Sequence, residues 1–460
     1  MLAAAQAPPP AAASSPISQR LNIVWIVGDD LGTQLASYGE RQAVTPTLDR
    51  LASGGTRFAH TYAVSPTCAP SRSALITGRY ATEIGTHHMR SRLAVPPRTL
   101  LDLLADAGYH IAWPQSPEAA KTDFNFDSPK LTHSAADWLV TAPPEPFFAY
   151  VNDMVVHEGK LSVSEVEHQR LTSELTASER QDTDRVEVPP YYPDVPAVRR
   201  SLARYAELVT AFDRNVQKVL GILRNRGVLE RTIVVVFGDN GPGFPRGKRL
   251  LYDEGVRVPL IMVGPGIEPG VVRRDLVSLL DLAPTTLALA GVQPPSQMSG
   301  RIIVGPRLQP SPSYLISARD RTDEVTDRMR AVRDGRYLYI RNLMPQVSLS
   351  SSLPEYARKG PLLKAMTEGH EHGTLDRVQR LFFAPHKPDE ELYDTASDPH
   401  QIRNLAAAPE GRAVLELMRA RLDEWWRLHD DLGAVPEAEL TRKGLLVAPS
   451  RSTVVPIGTR

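Results

Sequence analysis

The stretch Asn22-Ile23-Val24-Trp25-Ile26-Val27-Gly28-Asp29-Asp30 joins an uninterrupted apolar run to two adjacent carboxylates. Such a run is typical of a strand that is buried on both faces of a parallel sheet. Open α/β sheets bind ligands at the carboxyl ends of their strands, so this stretch predicts an α/β fold with Asp29 and Asp30 at a binding edge. Two adjacent carboxylates repel each other and indicate a bound cation; the alternative is an acidic pair that caps a helix.

A second stretch of the same form, Thr232-Ile233-Val234-Val235-Val236-Phe237-Gly238-Asp239-Asn240, lies about two hundred residues further on. Because the carboxyl ends of parallel strands meet at one edge, we expect Asp29, Asp30, Asp239 and Asn240 to lie close together. Three carboxylates and one amide oxygen form a ligand set for a hard cation. The set predicts Ca²⁺, with Mg²⁺ as an option, and it does not suit zinc.

The stretch Thr67-Cys68-Ala69-Pro70-Ser71-Arg72 contains the only cysteine of the chain, so no intrachain disulfide can form. Pro70 stands where a helix can begin and Gly78 where it can end, which places Cys68 near a helix N-terminus that favours negative charge. Arg72 lies one turn further on and offers a planar donor for an oxyanion. The interpretation is an anion site at Cys68; the alternative is a small buried apolar residue.

Residues 68–72 match the C-x-P-S-R signature of the type I sulfatases, and the segments before them resemble the opening of that family. The resemblance implies that a formylglycine-generating maturation enzyme oxidises Cys68 to formylglycine. The hydrated, oxygen-bearing form suits a Ca²⁺ site better than a thiolate does. The resemblance also implies a fold of the alkaline phosphatase superfamily, an α/β domain with a large mixed sheet flanked by helices and a smaller C-terminal antiparallel sheet plus helix.

Further catalytic residues follow from the same resemblance. Lys121 and Lys248 match the two active-site lysines, and His157, which follows a buried strand, matches a catalytic histidine. With Arg72, the two lysines are expected to neutralise the sulfate oxygens, and His157 to transfer a proton. Without the resemblance, the lysines would be solvated loop residues and His157 a structural histidine. The family's usual histidine two positions after the first lysine is Asp123 here, which leaves protonation of the leaving group without a clear donor.

Candidate substrate-binding residues are assigned less directly. His87 and His88 follow closely on the Cys68 loop, and Asp123 follows the first lysine. Arg319 and Asp320 would grip sulfate and hydroxyl groups of a sugar if they face the cleft. The alternatives are surface histidines and a charged surface turn at residues 319–324.

Composition limits the classes of partner. The chain has 53 Lys and Arg residues and 53 Asp and Glu residues, so there is no global field to attract nucleic acid or an anionic membrane. No apolar run is long enough to span a bilayer. The segment Ala5-Gln6-Ala7 resembles a signal-peptide cleavage site, which predicts a periplasmic or secreted protein if a signal sequence precedes it and a cytoplasmic one if none does.

Composition shifts and periodicity suggest four regions. We expect a disordered Ala/Pro tail or signal remnant at residues 1–20, a catalytic domain at 21–310, an α+β subdomain at 311–430 and a loosely held tail at 431–460. Apolar periodicity predicts helices at residues 99–108, 197–226, 277–289 and 413–429.

The sequence therefore predicts a sulfatase that hydrolyses a sulfate ester or sulfamate with a metal-bound formylglycine at position 68. The Lys-Thr-Asp and Gly-Thr-His-His segments resemble bacterial sulfatases of the heparan N-sulfatase type, which favours a sulfated saccharide as substrate. One alternative is a phosphonate monoester or phosphodiester hydrolase on the same site. The other is a non-catalytic sulfoglycan-binding protein, if Cys68 is unmodified.

Overall fold

A computed structural model describes residues 20–40, 42–112, 121–128 and 142–447. The predictions for residues 1–19 and 448–460 lie outside this range, and the predicted periplasmic or secreted location stays a prediction. Within the described ranges, no helix has both the length and the apolarity that a membrane span requires.

The strands of the described ranges, numbered in chain order, are β1 (Asn22–Gly28), β2 (Thr56–Tyr62), β3 (His110–Ala112), β4 (Phe147–Asp153), β5 (Thr232–Gly238), β6 (Arg257–Val258), β7 (Leu260–Val263), β8 (Val271–Ser278), β9 (Leu315–Arg319), β10 (Met329–Arg333), β11 (Tyr337–Asn342) and β12 (Glu390–Asp394).

The α-helices of the same ranges are α1 (Pro46–Gly54), α2 (Cys68–Thr77), α3 (Ala81–Ile84), α4 (Leu100–Asp106), α5 (Glu165–Leu171), α6 (Pro196–Asn225), α7 (Asp253–Val256), α8 (Leu282–Leu289), α9 (Glu355–Arg358), α10 (Pro361–Glu371), α11 (Arg412–Leu428) and α12 (Glu437–Arg442). Short 3-10 turns occur at Ala36–Tyr38, Glu158–Lys160, Ala177–Glu179, Thr183–Arg185, Leu229–Arg231, Leu279–Asp281, Gln379–Phe383, Pro409–Gly411 and Leu432–Ala434.

The large sheet has eight strands in the order β3-β4-β1-β5-β7-β2-β6, with β8 paired to β2. Strand β1 lies at its centre, between β4 and β5, and is parallel to both. Strand β7 runs antiparallel to β5 and to β2, so the sheet is mixed. The predicted α/β class is confirmed, and the two stretches that end in acidic residues are neighbours at the centre of the sheet.

Both faces of the large sheet are covered, which explains the unbroken apolar run of β1. Val24 and Ile26 point into a core that includes Phe212 of α6. Ile23 and Trp25 point into a second core, formed with α2, α4 and α8. Because successive strand residues point to opposite faces, a strand with a helix layer on each side must be apolar at every position.

The smaller sheet is antiparallel, with strand order β12-β11-β10-β9, as predicted. Its outer face packs against α11 through a third apolar cluster that includes Val332, Tyr339 and Trp425. Its inner face carries Ala331 and Ile340 into the first core of the large domain. The two sheets therefore share buried apolar surface.

The helix predicted at residues 277–289 is shorter than expected. Val277 and Ser278 complete β8, a 3-10 turn follows at Leu279–Asp281, and α8 begins at Leu282. The Ser278 hydroxyl accepts a hydrogen bond from the Leu280 amide, which caps the turn and separates it from the strand. Apolar periodicity alone cannot detect this cap, because the strand end and the helix are both buried.

Residues 431–447 are not the loosely held tail that the sequence predicted. Leu440 and Leu446 are buried, and Leu446 forms a β-bridge with Leu93. Asp431 forms an ion pair with Arg330 at 2.7 Å. This segment is part of the folded body, because its two leucines and its carboxylate all have partners elsewhere in the chain.

Candidate active site

The ends of β1 and β5 place four polar side chains together. The two strands are in register, with Gly28 opposite Gly238, so the residues that follow them emerge at the same height. Gly238 must lack a side chain, because a Cβ there would lie 2.0 Å from the carbonyl oxygen of Leu31. The Asp30 amide donates a hydrogen bond to Asp239 Oδ1 at 3.0 Å, which joins the two strand ends directly.

We call Asp29, Asp30, Asp239 and Asn240 the strand-tip cluster. All four are fully buried, and carboxylate oxygens of the three aspartates lie within 4.8 Å of one another. Burial raises the pKa of Asp239 to about 6, Arg72 opposes that rise, and the charges of Asp29 and Asp30 add to it. Three carboxylates this close are stable together only with compensating positive charge.

The donor set of this cluster fits a hard divalent cation. Carboxylate and amide oxygens are the ligands that Ca²⁺ and Mg²⁺ prefer. Asn240 donates from Nδ2 to Asp30 Oδ1 at 2.8 Å, while its buried Oδ1 has no hydrogen-bond partner among the described residues. Rotation of the terminal amide would exchange the two atoms and present an oxygen to an ion.

Cys68 is the first residue of α2, and its thiol faces the strand-tip cluster. Its Sγ lies 3.6 Å from an oxygen of Asp29 and 3.6 Å from an oxygen of Asp30, with the side chain fully buried. Burial raises the pKa of the thiol well above its usual value; Lys121 and Lys248 oppose that rise, and the two aspartates add to it. The thiol is therefore protonated at neutral pH and is a poor nucleophile in this form.

Arg72 is fully buried and links three strands. Its Nε contacts Asp239 Oδ2 at 2.7 Å, and its Nη2 lies 3.2 Å from Asp29 Oδ2. The same guanidinium donates to the Tyr150 hydroxyl at 3.0 Å and to Asn152 Oδ1 at 2.6 Å. These donors contact acceptors of the protein, and the sequence predicted that they would contact an oxyanion. A direct contact between Arg72 and sulfate therefore stays a prediction.

Two lysines contact different carboxylates of the cluster. Lys121 Nζ lies 2.9 Å from Asp29 Oδ2, and Lys248 Nζ lies 2.8 Å from Asp30 Oδ1. Burial lowers the pKa of each lysine, but the aspartates outweigh it, so both pKa values stand well above the usual range. Both side chains are cationic, and neither is the solvated loop lysine of the alternative reading.

His157 borders the same cluster, with Nε2 4.0 Å from Asp30 Oδ2. Burial and the charge of Lys248 lower its pKa, against the opposing effect of Asp30 and Asp29, so the ring is neutral at pH 7. Its Nδ1 accepts a hydrogen bond from the Gly159 amide at 3.2 Å, which assigns the ring proton to Nε2.

Asp123 lies 3.2 Å from Lys121. Burial raises the pKa of this carboxyl, but the charges of Lys121 and Arg72 lower it by a larger amount. The pKa of Asp123 is therefore below its usual value. Asp123 is ionised at neutral pH and cannot donate a proton.

The two histidines predicted to bind substrate are buried. His87 and His88 are buried, with ring centroids 4.2 Å apart, so neither is a surface histidine. His88 Nδ1 accepts from the Arg321 amide at 3.3 Å. Both ring nitrogens of His87 are buried without a hydrogen-bond partner in the described part of the chain. Their contact with substrate stays a prediction.

Arg319 and Asp320 are not a charged surface turn. Both are buried; Arg319 contacts Asp327 at 3.0 Å, and Asp320 contacts Arg330 at 3.1 Å. The surface-turn alternative is wrong for these two residues, because they pair inside the protein with residues of another strand and another loop. Their role in binding a sugar stays a prediction, since their charged groups meet protein partners.

Sequence reasoning missed a buried ion pair beside the lysines. Glu158 and Arg249 form two short contacts, at 2.5 and 2.6 Å, and both side chains are buried. The Glu158 amide also donates to Asp30 Oδ2 at 2.8 Å, and Glu158 Oε1 lies 3.6 Å from Lys248. Arg249 has a positive φ of 79°, which is unusual for a residue with a side chain.

Tyr150 and Asn152 were also missed. Both lie on β4, Tyr150 at its middle and Asn152 near its carboxyl end, and β4 pairs with β1 beside the strand-tip cluster. A polar residue at the carboxyl end of an apolar run was the available signal for Asn152. Tyr150 gives no such signal, because a tyrosine in a buried strand is common.

Three kinds of comparison place the chain among known proteins. The model of the family described as "Sulfatase" matches residues 21–292. An ulvan-active sulfatase of Formosa agariphila is 32% identical and covers 93% of this chain and 78% of its own. The N-sulphoglucosamine sulphohydrolase of Homo sapiens is 28% identical, over 92% of this chain and 93% of its own. A solved 2-O GAG sulfatase shares the fold, with a TM-score of 0.65, 21% identity and coverage of 94% of this chain and 95% of its own.

Proposed function

The chain belongs to the sulfatase family and is a hydrolase of sulfuric esters or sulfamates, and we propose that its substrate is a sulfated saccharide. The relatives support this substrate class, since one is named for ulvan and another for a sulfated glucosamine. The observation that carries the proposal is the strand-tip cluster, whose carboxylates lie beside Cys68 and between two lysines.

We assign each part of the proposed chemistry to a group of the described residues. Asp29, Asp30, Asp239 and Asn240 would hold a divalent cation, which when bound would supply positive charge beside the sulfuryl group. Oxidation of Cys68 to formylglycine would supply an oxygen nucleophile where the thiol now stands. A protonated, buried thiol lacks this reactivity, so the environment of Cys68 supports the modification.

Lys121 and Lys248 are the groups of this chain that would bind the sulfate oxygens. Both are cationic; Lys121 contacts Asp29 and Lys248 contacts Asp30, and an oxygen of each of these carboxylates lies 3.6 Å from Cys68 Sγ. Negative charge on the sulfate oxygens would be neutralised by fixed ammonium groups in a site from which water is largely excluded. Arg72 would act as a positioning residue, because its guanidinium holds Asp29 and Asp239 at a fixed separation.

Proton transfer is proposed for His157. Its Nε2 carries the ring proton and faces the cluster, while the Gly159 amide fixes the ring through Nδ1. Asp123 is ionised and cannot replace it. An anionic substrate would raise the pKa of the imidazole and favour its protonated form.

The proposal is tested on protein produced together with a formylglycine-generating enzyme. Mass spectrometry of the peptide that contains position 68 should show the aldehyde, which is lighter than the thiol. The same sample should hydrolyse a nitrophenyl sulfate, and the Cys68→Ala variant should not. Aldehyde formation without turnover of any sulfate would contradict the proposal, and a thiol that stays unconverted would favour the sulfoglycan-binding alternative.

A second assay identifies the bond and the substrate. Glucosamine carrying sulfate on nitrogen or on oxygen is offered beside a nitrophenyl sulfate and a phosphonate monoester. The proposal expects at least one sulfated glucosamine to be hydrolysed with the highest kcat/KM. A higher value for the phosphonate monoester would support the alternative hydrolase.

A further inference from the structure

A second cavity lies between the two sheets, apart from the strand-tip cluster. Its volume is about 280 Å³, near the lower end of the range for small-molecule sites, roughly 300 Å³. Strands β2, β6 and β10 and the segments 252–254 and 395–401 form its walls. Among the described residues that line it, none is Cys68, His157 or either active-site lysine.

The walls carry more cationic groups than carboxylates can neutralise. Arg246, Arg257 and Arg333 all line the cavity. Arg333 forms a pair with Asp253, at 3.1 and 3.2 Å. Arg246 and Arg257 have no carboxylate within 4.0 Å in the part of the chain that the structure describes. Two guanidinium groups thus face one space without a counter-ion.

The remaining carboxylate of the cavity does not cancel this charge. Glu254 accepts a hydrogen bond from Gln34 Nε2 at 3.0 Å. Burial raises the pKa of Glu254 to about 7, against the opposing effect of Arg246, so this group is partly protonated at neutral pH. His60, on the opposite wall, has its pKa lowered by burial and then by Arg257 and Arg333, which is the effect expected of a positive field.

Two donors at the cavity have no acceptor. Gln401 is 2% exposed; its Oε1 accepts from the Asp253 amide at 2.9 Å, but its Nε2 has no partner among the described residues. Arg257 donates from Nη2 to the Ala59 carbonyl at 2.9 Å, while its buried Nε is likewise without a partner. A buried donor without an acceptor costs about 1–3 kcal/mol, so a ligand that accepts hydrogen bonds would be stabilised here.

Two buried aromatic rings and two carbonyls fix Arg246 in the wall of the cavity. The guanidinium of Arg246 lies 3.8 Å from the ring centroid of Tyr252 and 5.0 Å from that of Tyr191. It is held there by hydrogen bonds to the carbonyls of His400 and Gln401. These contacts hold the cation of Arg246 in one place without neutralising its charge.

We infer that this cavity is a second oxyanion-binding site, which takes a sulfate or carboxylate group that is either free or carried on a saccharide. Arg246 and Arg257 supply the charge, and Gln401 Nε2 and Arg257 Nε supply unused donors. The inference goes beyond the proposed function, because binding at this place requires neither the nucleophile nor the metal.

The test is a calorimetric titration of the full chain carrying Cys68→Ala, which prevents turnover. Sodium sulfate is expected to bind at two sites per chain. Arg257→Gln should weaken one of them at least about tenfold, since it removes a charged donor. Lys248→Gln should weaken the other. Arg412→Gln, which changes an exposed arginine on α11, is the control and should leave both sites intact.

A second variant guards against loss of folding. Ala396 is exposed at the rim of the cavity, so Ala396→Glu adds a carboxylate without disturbing the core. Ala396→Glu should weaken the same site as Arg257→Gln does. Ala396→Gln, whose new side chain has the shape of glutamate but no charge, should not. In otherwise unchanged protein, Arg257→Gln should keep full turnover of a nitrophenyl sulfate, which separates this test from the proposed function.

The titrants identify the source of the anion. Glucosamine 6-sulfate that binds the second site at least tenfold tighter than sodium sulfate would assign it to a saccharide, and equal affinity would assign it to the free anion. Unsulfated glucosamine should not bind in either case. A single sulfate site that Lys248→Gln weakens and Arg257→Gln leaves unchanged would overturn the inference, and so would two sites that Arg257→Gln and Ala396→Glu both leave unchanged.

Discussion

Two groups of buried charges in this molecule are built in opposite ways. In the strand-tip cluster, three carboxylates face one another, and their oxygens lie within 4.8 Å. In the C-terminal ion-pair network, which we define as Arg319, Asp320, Asp327, Arg330 and Lys387, every carboxylate faces a cation. Asp327 there contacts Arg319 at 3.0 Å and Lys387 at 2.9 Å.

The difference shows that burial of charge is by itself a poor sign of function. The C-terminal network places each of its two carboxylates against a cation, so these charges are paired within the protein. The strand-tip cluster instead holds three carboxylates close together, although Arg72, Lys121 and Lys248 contact them, and burial raises the pKa of Asp239 to about 6. A site that binds an ion or substrate is recognised by such crowding of like charges and by the pKa shift that results from it.

The largest expected effect is that of Cys68→Ala. Loss of the only group that can be oxidised to the nucleophile should lower kcat for a nitrophenyl sulfate by at least about 10³-fold. The midpoint of thermal unfolding should change little, since a buried thiol is replaced by a small apolar group. Retention of more than a tenth of the activity would contradict the catalytic role that the comparison gives to the strand-tip cluster and Cys68.

A matched pair of buried lysines sharpens the contrast. Lys248→Gln removes a cation from the strand-tip cluster and should lower kcat/KM by about 10²- to 10³-fold. Lys387→Gln removes a cation from the C-terminal network and should lower the free energy of unfolding by about 2–3 kcal/mol with kcat unchanged.

Both lysine variants are measured by steady-state kinetics and by urea unfolding. The comparison fails if Lys387→Gln reduces kcat as strongly as Lys248→Gln does. Equal loss of stability in both proteins, with activity retained, would also remove the distinction between the two groups.

Glu254 is a third kind of carboxylate, half-buried and hydrogen-bonded to Gln34, with no ion pair among the described residues. Its folded-state pKa of about 7 exceeds the usual 4.5, so the associated stability is present below about pH 4.5 and is lost as the pH rises through 7. Glu254→Gln should therefore raise the free energy of unfolding by up to about 3 kcal/mol at about pH 8 and change it little at about pH 4.

Thermal unfolding across this pH range checks the prediction, with the exposed Glu416→Gln as control. A stabilisation that is the same at low and high pH would show that burial does not raise the pKa of Glu254.

The smallest effect concerns the metal. A divalent cation at 100 times its Kd should stabilise the fold by about 2.7 kcal/mol, and a chelator should remove that gain. Because the ion and a proton compete for Asp239, the affinity should fall by up to about tenfold per pH unit below about pH 6. Asp327→Asn, in the other network, should not change the pH dependence. Calorimetry that finds the same Kd at pH values above and below 6 would contradict the competition.

The sequence was sufficient for the strand-tip cluster because each half is a local pattern, an apolar run that ends in polar residues. Only the pairing of β1 with β5 had to be assumed, and parallel sheets make that pairing common. The pair of Glu158 and Arg249 could not be found in this way, since its two members lie in loops with no periodicity. Arg319 and Asp320 were misread because a row of charged residues is usually exposed. Their partners Asp327 and Arg330 follow only eight and ten residues later, but they contact these residues only once β9 and β10 pair.

The β-bridge between Leu93 and Leu446 attaches a C-terminal segment of the described chain to a segment near its N-terminus. Glu437 adds a tether there, since its carboxylate contacts Arg321 at 2.7 Å and also accepts from Ser91. A protein cut after position 430 would lose Asp431 and leave the buried guanidinium of Arg330 with Asp320 as its remaining carboxylate partner among the described residues. A fragment that ends at residue 430, the end of the predicted subdomain, is therefore expected to aggregate. A purification tag should be placed after residue 447.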